Sequence, residues 1–423
     1  MAGGTTGAES DAGVVIVGAG VAGVQTAVAL REKGYTGRVR LVGAERHRPY
    51  DRPPLSKSVL QGKEGDATFA VDYAGLGIEL LLGVEAKGLR PGARELDTSE
   101  GPLGYEALVL ATGAEPVRLP GVEERPGVHL LRTVDDAERL RPVLEARQDV
   151  VVVGAGWIGA EFATAAREAG CRVTVVEAAR RPLAGALPAA VAAPMARWFD
   201  EAGAELRTDV RVTGVEPGSV TLSDGSRLAA DAVVVGIGAR PATGWLTGSG
   251  ITLGERGEVL ADDRLRTSAE GVYAVGDCAS FPSALFGERL LVQHWDNAFH
   301  GPRTVAAGIV AAGARDGSEP QDAADVAYDP VPYFWSEQFG RFVQYAGHHS
   351  SADTTLWRGD PDGEAWSVCW LRERRLVAVL SVGRPRDLAQ GRRLIASGAR
   401  LMPSAVADAD VPLKSAKEIG ADH

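Results

Sequence analysis

VVIVGAGVAGVQTAVALREKGYTGRVRLVGAE, residues 14–45, and DVVVVGAGWIGAEFATAAREAGCRVTVVE, residues 149–177, together decide the fold. In the first, an apolar run (14–17) enters Gly18-Ala19-Gly20-Val21-Ala22-Gly23, helical composition follows, and a second apolar strand (39–42) leads to an acid, Glu45. Strand, glycine-rich turn and helix in that order make a dinucleotide cradle. The first glycine forms the turn, the second admits a pyrophosphate to the backbone, and the third lets helix and strand pack closely. The phosphates lie at the helix N-terminus and the acid accepts from ribose hydroxyls. One such hexapeptide arises by chance. Here the grammar returns whole: a strand (149–153), the turn Gly154-Ala155-Gly156-Trp157-Ile158-Gly159, a helix (160–169), a strand (172–176) and Glu177. Two complete units imply two dinucleotides. A carboxylate at Glu177 hydrogen-bonds a free 2′-hydroxyl and repels a 2′-phosphate, which favours NADH over NADPH, while Arg180 and Arg181 just beyond work against that preference.

Composition agrees with a soluble globular protein of two or three domains. The 423 residues exceed one ordinary core, with hydrophobic residues at 45% and charged residues at 24%. The formal charge of −11 repels phosphate backbones and disfavours a nucleic-acid role. One stretch, residues 371–400, carries eight arginines against Glu373 and Asp387. Cys171, Cys278 and Cys369 are far apart and form no CxxC pair, which argues against a disulfide framework or a metal site and suits a reducing compartment. No basic-then-apolar leader opens the chain and no run of about 18 apolar residues occurs, so the expected place is the cytoplasm, without membrane contact.

Smaller signals surround the cradles. YEALVLATGAEP (105–116) and DAVVVGIGARP (231–241) each read as a buried strand running into a small-residue turn, and GVYAVGD (271–277) ends a strand with Asp277. Asp277 reads either as the N-cap of a following helix or as a ligand for a polyol chain, and the two roles are compatible. PYDRPPLSKSVLQG (49–62) places a lysine in a proline-rich turn leading toward a helix, in a chain with only 6 lysines among its 45 basic residues. Beyond residue 328, alternating strands (341–345, 365–371, 376–382) and a helix (386–399) suggest a small α+β domain.

Taken in order, GAGVAG, PYDRPPLSK, ATGAEP, LLRTVDDAERL, GAGWIGAE, VYAVGDCA, HWDNA and PYFWSEQFG resemble the FAD-dependent, NADH-linked ferredoxin and rubredoxin reductases that feed oxygenases. The resemblance runs from about residue 12 to about residue 400, and PYxRPPLSK is its most specific part. It implies an α/β fold class: two Rossmann-like nucleotide-binding domains, as in glutathione reductase, plus the small C-terminal α+β domain. The implied divisions are 10–118 and 244–326 for FAD, 119–243 for NAD, 327–408 for the C-terminal domain, and 409–423 as a tail. For FAD the resemblance points to Gly18, Gly20, Ala22, Gly23, Glu45, Arg52, Lys57, Thr112, Arg132, Asp277, Trp295 and Trp335. For NADH it points to Gly154, Gly156, Ile158, Gly159, Glu161, Glu177 and Gly238. Lys57 and Glu161 are the implied catalytic pair: a compact ammonium beside the flavin, held by a carboxylate, orients the nicotinamide and stabilises the charge that arrives with hydride. The alternative for Lys57 is an exposed lysine at a helix start, and for Trp335 a place in the core.

By the same resemblance the acceptor is an iron–sulfur ferredoxin, and the protein a monomer or homodimer without metal of its own. Disulfide-reducing relatives carry a cysteine pair, and peroxide reductases a single cysteine, in the first domain; no cysteine lies between residues 1 and 147 here. Electrons leaving the flavin then need another route, and the resemblance implies that they go one at a time to the carrier. Two positions depart from the family pattern. Gln293 stands where a glutamate is usual, and Pro302 stands where a helix generally continues, so that helix is expected to start late or kink. The competing readings are a disulfide or peroxide reductase and a redox-sensing flavoprotein like the apoptosis-inducing factors.

Overall fold

A computed structural model describes residues 12–63, 67–122, 125–313 and 327–418. Residues 10–11, 314–326 and 419–423, at the outer ends of the expected divisions, lie outside the described residues. Two compact units emerge, one of Met1–Tyr50, Thr68–Ala114 and Arg240–Asp329, the other of Asp51–Ala67, Glu115–Ala239 and Pro330–His423.

In the first unit, Val14–Val17 is the middle of a five-stranded parallel sheet in the order Val272–Ala274, Ala107–Leu110, Val14–Val17, Val39–Gly43, Ile78–Leu82. A run without alternation suits a strand covered on both faces, and Val14, Val15 and Ile16 are fully buried. The helix Val21–Glu32 makes the crossover. The second unit repeats the plan in the order Val128–His129, Ala232–Val235, Asp149–Val153, Arg172–Val176, Glu205–Arg207, again parallel. Even the connection repeats. Three short antiparallel strands, Ala86–Arg90, Glu95–Thr98 and Gly101–Gly104, precede Ala107–Leu110, and Val212–Glu216, Ser219–Leu222 and Arg227–Ala229 precede Ala232–Val235.

The segment around Lys57 is not the start of an α-helix. Pro53–Ser56 is a single 3-10 turn with Lys57 at its end, and only turns follow. Successive prolines fix φ and withhold two amide donors, which permits that turn and little more. Leu60, fully buried, anchors the segment in the second unit's core beside Leu140 and Phe162.

The C-terminal residues form a five-stranded antiparallel sheet in the order Tyr333–Gln338, Arg341–Gly347, Arg375–Val382, Trp366–Arg372, Thr354–Arg358, covered by the helix Pro385–Ser397. Beneath the helix, fully buried Arg358 bonds Asp387 through Nε at 3.1 Å, and Ser367 donates to the same carboxylate at 2.7 Å. Arg358 also donates to the carbonyls of Asp408 and Val411, both at 2.8 Å. The expected tail is thus part of the fold as far as it is described: Leu413 and Ala416 are fully buried and the Met402 amide donates to the Ala416 carbonyl. The arginine-rich run does not share one side. Arg374 and Arg400 pair with Glu418, Arg384 with Asp387, and Arg392 lies over the Tyr333 ring. Arg386 and Arg393 remain exposed on the helix. Among the described residues no helix is long and apolar enough to cross a membrane.

Candidate functional site

Both glycine turns show which glycine serves the protein and which serves a ligand. Gly18 has φ +111°, and a Cβ there would come within 2.1 Å of the Ala111 carbonyl oxygen. A Cβ on Gly23 would meet the Gly18 oxygen at 1.9 Å. The second turn matches: Gly154, at φ +101°, would strike the Gly236 oxygen at 2.4 Å and Gly159 the Gly154 oxygen at 2.0 Å. These four are required by the chain's own backbone. Gly20 and Gly156 differ, because a Cβ on either meets nothing within 4 Å. Their bareness leaves the helix N-terminus open to a pyrophosphate, and neither helix carries a side-chain cap on its first amides. The residues present fit the pyrophosphate of a dinucleotide at each turn.

In the first unit the Tyr50 hydroxyl donates to Glu45 and fixes the acid at the end of its strand. Thr112 follows the strand Ala107–Leu110, its amide 2.9 Å from where a Gly18 Cβ would lie. Asp277 lies in the 3-10 turn Gly276–Cys278, which runs directly into the strand Ala279–Ser283, so it caps no helix. Gly276 is packed so closely on the first glycine helix that its Cβ would be 3.0 Å from Ala22 Cβ, which brings Asp277 to the cradle. Gln293 donates to the Asp277 carbonyl at 3.4 Å. Trp295 begins the short helix Trp295–His300 and stacks on Phe299 at 4.7 Å. The helix stops there and a separate one, Pro302–Gly313, follows: the expected interruption, since proline cannot donate its amide. Burial pushes the partly buried His294 imidazole down to about 4, leaving it neutral at neutral pH.

In the second unit Glu177 is fastened to its turn, accepting from the Ala155 amide at 2.7 Å and the Ala179 amide at 2.8 Å. Ile158 and Ile237 are large apolar residues left exposed at this turn, and Gly238 beside Ile237 has φ +121° with open space at its Cβ. Lys57 and Glu161 meet: Nζ is 2.7 Å from Oε2, with the carboxylate only 5% exposed. Ser56 donates to the same oxygen at 2.6 Å, and Ser336 to Oε1 at 2.8 Å. Arg52 donates to the Arg132 carbonyl at 2.7 Å. Asp136 in turn accepts from the amides of Arg132 and Thr133 at 2.9 and 2.8 Å, closing a capping box with Thr133. Trp335 is half-buried and stacks on Tyr333 at 5.9 Å, so it does not belong to the core. Sequence reading missed Ser56, Asp136 and Ser336. The Thr133-x-x-Asp136 spacing is the one local signal that could have found any of them.

The chain matches the family described as pyridine nucleotide-disulphide oxidoreductase over residues 12–301, and a reductase C-terminal family over residues 333–417. It is 36% identical over 416 residues to rhodocoxin reductase of Rhodococcus erythropolis, covering 95% of this chain and 94% of that protein. It is also 36% identical over 413 residues to the ferredoxin–NAD(+) reductase component of the anthranilate 1,2-dioxygenase system of Burkholderia cepacia, covering 95% and 98%. The crystal structure of the covalent putidaredoxin reductase–putidaredoxin complex superposes with a TM-score of 0.88 at 33% identity, covering 95% of this chain and 97% of that one.

Proposed function

This chain belongs to the pyridine nucleotide-disulphide oxidoreductase family, and from that membership we propose that it is an NADH-dependent ferredoxin reductase serving an oxygenase. When bound, FAD supplies the chemistry, taking hydride from NADH and passing single electrons to an iron–sulfur ferredoxin that feeds a haem monooxygenase or a Rieske-type dioxygenase. The carrying observation is the coexistence of two dinucleotide turns with no accessible thiol: Cys171, Cys278 and Cys369, the only cysteines, are all buried. A disulfide or peroxide reductase needs a thiol that can take electrons from the flavin. The free cysteines also suit a cytoplasmic setting.

In this reading residues 10–118 and 244–326 bind FAD, 119–243 bind NADH, and the C-terminal domain from 327 serves the carrier. Glu177, already oriented by two amides, accepts from the ribose 2′-hydroxyl and selects NADH. Lys57, held by Glu161, provides a fixed positive charge against the negative charge that hydride brings. Arg52 and Arg132 add two further cations, the Arg52 guanidinium being held by the Arg132 carbonyl to which it donates.

The purified protein should be yellow, bleach with NADH under anaerobic conditions, and reduce cytochrome c only when a ferredoxin is added. Lys57→Ala should retain FAD while its reduction by NADH slows about 100-fold in stopped flow, the scale of losing one preorganised electrostatic group. Turnover of peroxide or a disulfide without ferredoxin would replace the reading, and an unchanged rate in the variant would remove Lys57 from it.

A further inference from the structure

The Glu161 carboxylate is held from two sides. Oε2 receives Lys57 and Ser56, and Oε1 receives Ser336 from the strand Tyr333–Gln338, 175 residues away in sequence. Resting on the assignment of Lys57 and Glu161 above, we propose that Ser336, backed by Gln338, is a positioning residue for hydride transfer from NADH, acting by locking the carboxylate that holds Lys57.

Ser336 and Gln338 are each only 1% exposed, a costly place for polar groups unless they are bonded. They alternate with Trp335 and Glu337, so both face the same side of the strand. Gln338 Nε2 donates to Ser336 Oγ at 3.2 Å. An ionised carboxylate only accepts, so the one hydroxyl proton of Ser336 points to Oε1 and the chain of donation runs Gln338 to Ser336 to Glu161. The terminal torsion of a glutamate is broad and roughly two-fold. With Oε1 unheld, only Ser56 and Lys57 on Oε2 restrain the carboxylate, and Lys57 loses a firm hold on its shortest contact, 2.7 Å against 3.4 Å to the Pro53 carbonyl and 3.5 Å to Ser56 Oγ.

The strand and the residue that follows it meet the second glycine helix, Trp157–Glu168, at three points, which fixes the lock in place. Phe334 packs edge-on against Trp157 at 4.8 Å, Ser336 bonds Glu161, and the Phe339 amide donates to Thr164 Oγ1 at 2.9 Å. Residues 157, 161 and 164 fall on one face of that helix, so this segment reaches it at three successive points.

The test is anaerobic stopped flow on the FAD-loaded proteins. Ser336→Ala should lower the limiting rate of flavin reduction at saturating NADH about tenfold, the worth of one hydrogen bond to a charged group. The dissociation constant for NADH and the FAD content should be unchanged, and Ser336→Thr should recover most of the rate. Combined with Lys57→Ala, Ser336→Ala should add little, because it acts through Lys57. A normal rate in Ser336→Ala beside a slow Lys57→Ala overturns this inference alone, as does full additivity in the double variant. A normal rate in Lys57→Ala overturns the reading it rests on. Should Ser336→Ala lose FAD, Gln338→Met removes the backing donor and keeps the hydroxyl; about threefold slowing supports the inference and none refutes it.

Discussion

Gly20 and Gly156 occupy equivalent points at the starts of their helices, with φ and ψ of −81° and −173° in one and −78° and −171° in the other. Both backbones are open to any residue, and neither site has a neighbour within 4 Å of an added Cβ. Gly156→Ala should therefore fold, keep FAD, and weaken NADH at least about tenfold, the scale of one disturbed phosphate hydrogen bond, while Gly20→Ala should lose FAD instead. Isothermal titration and flavin absorbance distinguish the two, and equal loss of both ligands in either variant would contradict separate sites. Gly18→Ala and Gly154→Ala should unfold, since both glycines have positive φ and face a carbonyl. His294 makes a second residue-level prediction. Its folded pKa lies near 4, below the ordinary 6.5, so the folded state resists protonation. Stability is fully present above about pH 6.5 and is lost as pH falls toward about 4, by up to about 3 kcal/mol. Urea midpoints across that interval should decline, and His294→Gln should flatten the decline. At this scale the close-packed glycines of both turns were legible because their constraints are local. Ser336 was not, because nothing near it in sequence says that it meets Glu161.

Among elements, the two glycine helices and their strands came close to the sequence reading, because an apolar run ending in glycines carries its geometry within about 30 residues. The helix Pro302–Gly313 begins at the proline for an equally local reason. Lys57 was read as leading toward a helix, yet two prolines limit the element to a 3-10 turn. Residues 409–423 were read as a tail, whereas Arg384 binds the Ala409 carbonyl and Arg358 the Val411 carbonyl under the helix Pro385–Ser397. Arg358 makes the packing depend on a buried charge pair. Burial works against ionised Asp387, but Arg358, Ser367 and Arg384 outweigh it and hold the carboxyl below its ordinary value. Asp387→Asn should leave Arg358 uncompensated and cost about 3–5 kcal/mol, read as a lowered thermal midpoint. A loss below 1 kcal/mol would mean that the backbone carbonyls alone satisfy the guanidinium.

For the molecule as a whole, the net charge of −11 repels any carrier of like sign, so a negatively charged carrier would dock only at a local basic surface. Of eight arginines in the C-terminal run, Arg386 and Arg393 stand exposed two turns apart on one helix, while others are committed to Glu418, Asp387 and the Tyr333 ring. Charge reversal, Arg386→Glu with Arg393→Glu, should raise the KM for ferredoxin several-fold and weaken its dependence on salt, leaving reduction of the flavin by NADH untouched. An unchanged KM places the carrier elsewhere. The sequence by itself determined the duplicated nucleotide architecture, the two dinucleotides and the absence of a thiol relay, because these rest on short-range sterics and on residue identity. Only the tertiary structure decided which atoms hold Lys57, which arginines are free and how residues 409–418 pack, because a folded chain chooses those partners through contacts that local sequence does not encode, 104 residues apart between Lys57 and Glu161 and 53 between Arg358 and Val411.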